Sequence, residues 1–460
     1  MAQSSVNMSP RPTIGRQARA LLSLGLPLVG SQLAYMAIHT TDTVMLGWYN
    51  VTALAGVSLA GPLYFCIFIL GSGFAWALMP MVASAASVDD DTQVRRVTRM
   101  GIWLTIIYGV IFTLPLMFFE AFFLAIGQEP DVSAVAGQYM RVVGFGLLPA
   151  LIVMVMRSYL SALELTRIIL IVTVATAVMN ALINYALIFG NWGAPEMGVL
   201  GAAIASLVGT TFGMVTLIIY AMVKTPQYTL FKNFQRPDWE GFRQVFQLGW
   251  PIGITNLSEV GLFAVSSILM GWVGTIALAA HGIALQIASI TFMVHLGLSQ
   301  AITVKAGQAW GQKDPERLAL SSKAALLLSL GAVILTVILF LAVPEFLIGL
   351  FVDPDDPKRV EIIAVGVLLL AVAALFQTVD AAQVMALGML RGVQDTRVPM
   401  IMAAFSYWVV GVPASYLFGF TFGWDGVGVW LGLTFGLAVA GILLQYRFWS
   451  KHVASLAERA

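Results

Sequence analysis

Long apolar stretches separated by short polar breaks run along nearly the whole chain. Each stretch is long enough to cross a hydrocarbon core about 30 Å thick as a helix. Breaks such as residues 89–91 and 353–357 are rich in aspartate. The pattern therefore predicts an all-α polytopic membrane protein with twelve transmembrane helices. The predicted spans cover about residues 20–45, 53–84, 99–126, 138–162, 168–190, 198–222, 245–271, 278–305, 321–350, 361–388, 398–420 and 427–447.

The two halves of the chain repeat one another. Pro27 and Trp48 recur as Pro251 and Trp272, both at a spacing of 224, and later markers recur at a spacing of 230. Both prolines are predicted near the start of their helices. Because each copy contains six spans, both copies enter the membrane in the same direction. We therefore expect two six-helix bundles related by a pseudo-two-fold axis along the membrane normal, with a cleft between them.

The repeat and the polar connectors divide the chain into an N-lobe, a C-lobe, a linker and two tails. The longest polar connector lies between the sixth and seventh spans, so it is predicted to join the lobes. The division is a cytoplasmic N-terminal tail at 1–19, the N-lobe at 20–223, a cytoplasmic linker at 224–244, the C-lobe at 245–447 and a cytoplasmic C-terminal tail at 448–460.

Composition and charge add an orientation to this scheme. The chain is 59% hydrophobic and 10% charged, whereas soluble domains are about 25% charged. Of 24 Lys and Arg residues, all but Arg141, Lys358 and Arg359 fall in the termini or the even-numbered connections, with Arg157 and Arg391 counted there. Such an asymmetry places both termini in the cytoplasm. A net charge of +1 gives no reason to expect a nucleic-acid partner.

Three carboxylates are predicted to lie inside the membrane: Asp42 in the first span, Glu259 in the seventh and Asp380 in the tenth. A charge at the bilayer centre costs about 2.5–3.5 kcal/mol on insertion scales, so such residues are candidates for function. No nucleotide-binding loop, metal-protease motif or nucleophile motif is present in the sequence. We therefore expect an ion-coupled transporter rather than an enzyme, with no cofactor beyond the coupling ion.

Asp42 belongs to a polar face in the N-lobe. Tyr35, His39 and Asp42 lie on one side of the first helix, and Asn180 and Asn184 are spaced to share one side of the fifth. Together they suit a bound cation or a proton-dependent hydrogen-bond rearrangement, and His39 is expected to be a hydrogen-bonding neighbour. The alternative is that the asparagines hold helices together and that Asp42 reaches water.

The C-lobe carries the other two acids. Asn256 precedes Glu259 by one turn, and Asp380 lies between Gln377 and Gln383. Glu259 and Asp380 could share a proton or a sodium ion, because burial and like charge both favour neutralising a carboxylate. The sequence thus predicts a coupling site at Glu259, Asp380 and Asn256, with Na⁺ as a possible metal. Alternatively, each acid is simply packed in its protonated form.

Four segments resemble a known family. They read LGLP at 24–27, TDTVMLGW at 41–48, PIGITNLSEVGLFAV at 251–265 and QTVDAAQVMALGMLRGVQDTRVPM at 377–400. The chain is similar over its whole length to the MATE (multidrug and toxic compound extrusion) transporters, and most of all to the NorM-type bacterial branch.

The resemblance implies roles for matching residues. Asp42 matches the family's N-lobe aspartate, and Glu259 with Asp380 matches the acidic C-lobe pair that is associated with sodium binding. Ser206 stands where relatives can have a threonine. Phe376, one turn before Asp380, supplies no side-chain oxygen.

The resemblance also implies an activity. We expect a secondary active antiporter of the bacterial inner membrane that exports amphipathic organic cations by alternating access as Na⁺ or H⁺ enters. It is expected to be monomeric, with the bilayer, the drug and the coupling cation as its partners. The alternative is a flippase or exporter of a lipid-linked or other polar metabolite, which should carry more cationic residues in its cleft.

Overall fold

A computed structural model describes residues 13–458 of the protein. In this part of the chain twelve helices are long and apolar enough to span a membrane, which confirms the predicted all-α polytopic fold. The helices are α1 (Ile14–Tyr49), α2 (Val51–Ala86), α3 (Asp91–Leu116), α4 (Pro130–Ala162), α5 (Thr166–Phe189), α6 (Val199–Lys224), α7 (Trp239–Val273), α8 (Thr275–Gly311), α9 (Pro315–Ala342), α10 (Arg359–Gly392), α11 (Arg397–Thr421) and α12 (Asp425–Ala457).

Several helices are longer than their apolar cores. Helix α1 begins at Ile14 and α12 continues to Ala457, so helical structure extends into both segments predicted as tails. The outer parts of those tails, residues 1–12 and 459–460, lie outside the described residues. Pro27 and Pro251 lie well inside α1 and α7 rather than at their starts. Hydropathy marks the hydrocarbon core, whereas helix ends are set by capping side chains that lie outside it.

The duplication is visible in the backbone. Asp89 and Lys313, spaced by 224, both adopt left-handed conformations with φ of 56° and 55°. The next residue in each copy, Asp90 and Asp314, caps the following helix by accepting a backbone N–H at 2.9 Å. The inferred repeat is therefore a repeat of local structure as well as of sequence.

The two lobes meet where α1 and α2 pack on α7 and α8. At the crossing of α2 and α7, a Cβ atom on Gly73 would lie 2.5 Å from the carbonyl oxygen of Gly249, so only glycine fits. At the crossing of α1 and α8, Gly297 is similarly close to the backbone of Val29. These crossings lie in the halves of the helices nearest the Lys/Arg-rich connections. The lobes are therefore closed on that side of the molecule.

The polar face of α1 lies farther along the helix, beyond these crossings. Ser31 and Gln32 are buried next to the crossings, whereas Tyr35 is half-buried and His39 is exposed. The part of this polar face that lies farther from the closed side is exposed. This exposure indicates a cleft between the lobes. This cleft opens toward the side opposite the Lys/Arg-rich connections.

Two groups of charged residues join the lobes on the closed side. Arg96 of α3 binds Asp238, the capping residue of α7, with a closest contact of 2.5 Å. Lys305 of α8 binds Glu164, in the connection between α4 and α5, at 2.5 Å. Gln308, one turn after Lys305, donates to the same Glu164 oxygen at 2.8 Å. The first group therefore ties the N-lobe to the start of α7, and the second ties it to α8.

These ion pairs change the titration of the two carboxyl groups. The hydrogen bond from Arg96 lowers the pKa of Asp238 below its usual value. Partial burial favours the protonated form of Glu164, but the hydrogen bond and charge of Lys305 outweigh it, and the pKa of Glu164 is also lowered.

A carboxyl group with a lowered pKa in the folded state stabilises that state above its unfolded pKa, and this stabilisation is lost as the pH falls through the folded pKa. We expect both ion pairs to contribute fully at neutral pH. Their contribution should disappear as the pH falls through and below the usual values of 3.8 for Asp238 and 4.5 for Glu164. Thermal unfolding of the wild type and of the Asp238→Asn/Glu164→Gln variant, measured at a series of pH values, should show Tm values that converge in acid. A constant difference between the two proteins would contradict this.

Helix α11 is irregular. It contains two wide π-helical turns, at Ser406–Gly411 and Leu417–Thr421, on either side of Pro413. Proline lacks the N–H of a regular helix, and such turns accommodate the missing hydrogen bond. On its other side α11 packs closely on α12, because a Cβ atom on Gly432 would lie 2.1 Å from the nitrogen of Ser415. Tyr407 lies in the first wide turn and accepts a hydrogen bond from Gln383 of α10 at 2.5 Å.

Candidate functional site

The N-lobe site is built around Asp42, which is 7% exposed. Asn184 donates from its Nδ2 atom to Asp42 Oδ1 at 2.5 Å and to Asn180 Oδ1 at 3.1 Å. Ser206 of α6 donates from its hydroxyl to Asp42 Oδ2 at 3.2 Å. The structure therefore brings together the predicted Asp42, Asn180 and Asn184, and it adds Ser206.

This network is not complete. Among the described residues, Asn180 Nδ2 and Asn184 Oδ1 are buried without a hydrogen-bond partner, although buried polar atoms are nearly always paired. Tyr35 and His39 lie nearer the cleft and contact each other edge to face, with ring centroids 5.0 Å apart. The unused donor and acceptor leave the N-lobe site able to take up a further polar group or ion.

The bonding around Asp42 predicts the effect of replacing it by an apolar residue of similar size. Asp42→Leu removes both acceptor oxygens, so the amide of Asn184 and the hydroxyl of Ser206 each lose an acceptor. A buried donor left unsatisfied costs about 1–3 kcal/mol. We expect this variant to unfold at a clearly lower Tm than the wild type. Asp355→Leu, in an exposed loop, is the control, and equal Tm values for both variants would contradict the proposed network.

The C-lobe site contains three buried oxygens on α10 that lack partners within the described chain. They belong to Gln377, Asp380 and Gln383, which are at most 2% exposed. The amide nitrogens are committed elsewhere, since Gln377 donates to the carbonyl of Ala288 at 2.8 Å and Gln383 to the hydroxyl of Tyr407 at 2.5 Å. The two amide oxygens and Asp380 Oδ1 therefore remain as free acceptors.

Glu259 lies close enough to Asp380 for the two charges to repel each other. The guanidinium of Arg391 is near enough to attract Glu259, and it donates to Asn256 Oδ1 at 2.7 Å. The structure thus places Glu259 and Asp380 within electrostatic range of each other. Asn256 was predicted as an ion ligand, but its side-chain oxygen accepts the hydrogen bond from Arg391 instead. Phe376 packs against aromatic rings and contributes no oxygen.

The donor set fits a small hard cation or a proton. Carboxylate and amide oxygens are the ligands that hard cations prefer. No group of three or more His, Cys, Asp or Glu comes together anywhere in residues 13–458, so a bound ion would rely on two carboxylates and neutral oxygens. Glu259 and Asp380 carry the charge that such an ion would neutralise.

Two buried arginines were assigned wrongly from the sequence. Arg157 and Arg391, counted as residues of the connections, lie inside α4 and α10 and are each 6% exposed. Arg157 donates to Ser31 of α1 at 3.0 Å. Arg391 could have been found from its spacing, because three helical turns separate it from Asp380 and place both on one face. Its neighbouring glycines and polar residues suggested a loop instead.

Comparisons with known proteins agree with the fold. Residues 27–186 and 251–417 match the sequence model of the family described as MatE. A probable multidrug resistance protein NorM of Agrobacterium fabrum is 45% identical over 433 residues, covering 94% of this chain and 93% of that protein. The protein with the same name in Rhizobium meliloti is 46% identical, covering 94% and 92%. A solved structure of a multidrug resistance MATE family transporter in an outward-facing conformation shares the fold, with a TM-score of 0.87, 20% identity and 96% coverage of each chain.

Proposed function

Because the chain belongs to the MatE family, we propose that it is a secondary active multidrug efflux antiporter that exports amphipathic organic cations. The family expected from the sequence is confirmed, and the protein is accordingly a transporter. Its relatives in Agrobacterium fabrum and Rhizobium meliloti are named multidrug resistance proteins. The site geometry must support the remaining part of the proposal, which is the exchange of the organic cation for inward Na⁺ or H⁺.

The buried acidic site of the C-lobe carries this proposal. Asp380 is almost fully buried with one unpaired oxygen, beside a second carboxylate at Glu259. An unpaired buried charge is costly in a membrane protein and is retained where it has a function. Two acids in one lobe favour cationic cargo and a cationic coupling ion over a lipid-linked anion.

The two-lobe architecture supports alternating access. The lobes meet on the Lys/Arg-rich side and leave a cleft on the other, which corresponds to an outward-open state if that side is cytoplasmic. Ionised carboxylates hold the organic cation, and entry of Na⁺ or H⁺ neutralises them and releases it outward. The ion needs to differ in affinity between the two states by only a few kcal/mol to bias the switch.

The distribution of Lys and Arg supports the proposed location of the protein in the membrane. The asymmetry of Lys and Arg favours cytoplasmic termini, and the bacterial relatives favour the inner membrane. No association with a second copy is needed to complete either site, so we propose that the monomer is the active form.

The test is efflux of ethidium from proteoliposomes that contain the purified protein. A Na⁺ gradient and a pH gradient are imposed separately. Each gradient is directed so that the ion moves in the direction opposite to ethidium. One of the two gradients should accelerate ethidium movement well above that in protein-free liposomes. Equal rates with and without either gradient would overturn the coupling, and transport of a lipid-linked anion alone would indicate the flippase.

A further inference from the structure

Arg391 joins the C-lobe acidic site to the other lobe. Its guanidinium donates to Asn256 of α7 at 2.7 Å and stands 5.0 Å from the ring centroid of Trp76 in α2. Asn256 belongs to the C-lobe and Trp76 to the N-lobe. A guanidinium over an indole face is a cation–π contact, which is strengthened when water is excluded. Arg391 therefore makes a polar contact in its own lobe and a contact across the lobe interface.

Trp76 lies beside a close crossing of the lobes. It follows Gly73 by one helical turn, and Gly73 is the residue whose Cβ would collide with the backbone of α7. Residues three apart on a helix share a face. The contact between Arg391 and Trp76 is thus part of the surface that must separate when the Lys/Arg-rich side opens.

Among the charged groups near Arg391, Glu259 is the main counter-charge. Tyr407 of α11 also faces it but is uncharged at neutral pH. Asp395 lines the same small cavity, yet Asp395 already binds Arg447 and His452, both at 2.7 Å. Glu259 makes no hydrogen bond or ion pair within the described chain. Glu259 is half-buried, and Arg391 is the charged group that attracts it.

We propose that Arg391, held by Asn256 one turn from Glu259, is a positioning residue that transmits cation binding at the C-lobe acidic site to the lobe contact at Trp76; this rests on the proposed ion coupling. A cation bound between Glu259 and Asp380 removes the attraction for the guanidinium and repels it. Arginine does not release its proton in proteins, so the guanidinium responds by moving. Its displacement weakens the contact with Trp76 and favours opening of the closed side.

The opening can be followed as a distance between spin labels across the closed side. Thr92 and Glu316 are exposed in the first turns of α3 and α9 and are spaced by 224, so they are equivalent positions in the two lobes. The single native cysteine is Cys66, and Cys66→Ser gives a background for Thr92→Cys and Glu316→Cys. The full-length protein is measured in nanodiscs with NaCl, with N-methylglucamine chloride, and at neutral and lowered pH.

In the labelled background, Na⁺ or low pH should increase the long-distance population. Arg391→Gln should reduce this ion-induced change in the ratio of populations at least about fivefold. Trp76→Leu should do the same, and Trp76→Phe should retain the response because it keeps an aromatic face. If Arg391→Gln does not fold, as judged by size exclusion, the two Trp76 variants decide the question.

An unchanged ion response in Arg391→Gln or in Trp76→Leu would overturn the inference while leaving the proposed coupling intact. A labelled background that responds to neither ion, together with ethidium efflux that ignores both gradients, would overturn the coupling and this inference with it. The two failures are therefore distinguishable.

Discussion

Asp380→Asn should abolish ion-driven ethidium efflux, down to the rate of protein-free liposomes, while leaving the protein at least as stable as the wild type. The residue is 2% exposed and Oδ1 has no partner within the described chain. An unpaired buried charge destabilises a fold, so a neutral amide of the same shape removes a cost while it removes the coupling charge. Loss of function without loss of stability is expected of a functional residue.

The measurement pairs proteoliposome efflux with thermal unfolding for Asp380→Asn and Glu259→Gln. Glu361→Gln, at an exposed position in the first turn of α10, is the matched control and should transport normally. Normal gradient-driven efflux by both site variants would contradict the assignment. A Tm several degrees below that of the wild type for Asp380→Asn would show that its oxygen is paired and structural.

Gly73→Ala should shift the protein away from the state described here. The new Cβ would lie 2.5 Å from both the carbonyl oxygen of Gly249 and the nitrogen of Gly253. These are backbone atoms, so no side-chain rotation relieves the clash. Overpacking of this kind costs about 1–3 kcal/mol, which corresponds to about a 5–150-fold change in the ratio of two states.

The spin-label pair across the closed side reports this shift directly. Gly73→Ala should enrich the long-distance population without any added ion. Efflux should fall because the lobes rarely close on the Lys/Arg-rich side. Gly61→Ala on the same helix is the control, since a Cβ there meets nothing within 4 Å. An unchanged distance distribution in Gly73→Ala would mean that α2 and α7 can separate without opening the closed side.

The sequence was sufficient for features that depend on periodicity. Twelve apolar stretches predicted twelve spans, and matched prolines and tryptophans at a spacing of 224 predicted a repeat that the backbone at Asp89 and Lys313 shows. Asp42 and its two asparagines could be grouped because residues three or four apart share a helical face.

Features that depend on contacts between distant residues were missed or misplaced. Arg391 looked like part of a connection because glycines and polar residues surround it, and only the extension of α10 to Gly392 brings it into the interior. Asn256 shares a face with Glu259, but its oxygen is taken by Arg391 from another helix. Tyr407 carried no spacing signal, and Ser206 was singled out by the family resemblance alone, since each reaches its partner across a helix interface.

The central claim is that organic cations and a coupling ion exchange through the site at Glu259 and Asp380. It is tested most directly by running the exchange in reverse. Proteoliposomes loaded with ethidium, without any initial Na⁺ or pH gradient, should move Na⁺ or H⁺ in the direction opposite to ethidium. ²²Na⁺ flux and an internal pH dye report the two ions, and Asp380→Asn should show neither movement. Ethidium exit that moves no ion in the wild type, or that persists at the same rate in Asp380→Asn, would contradict the account.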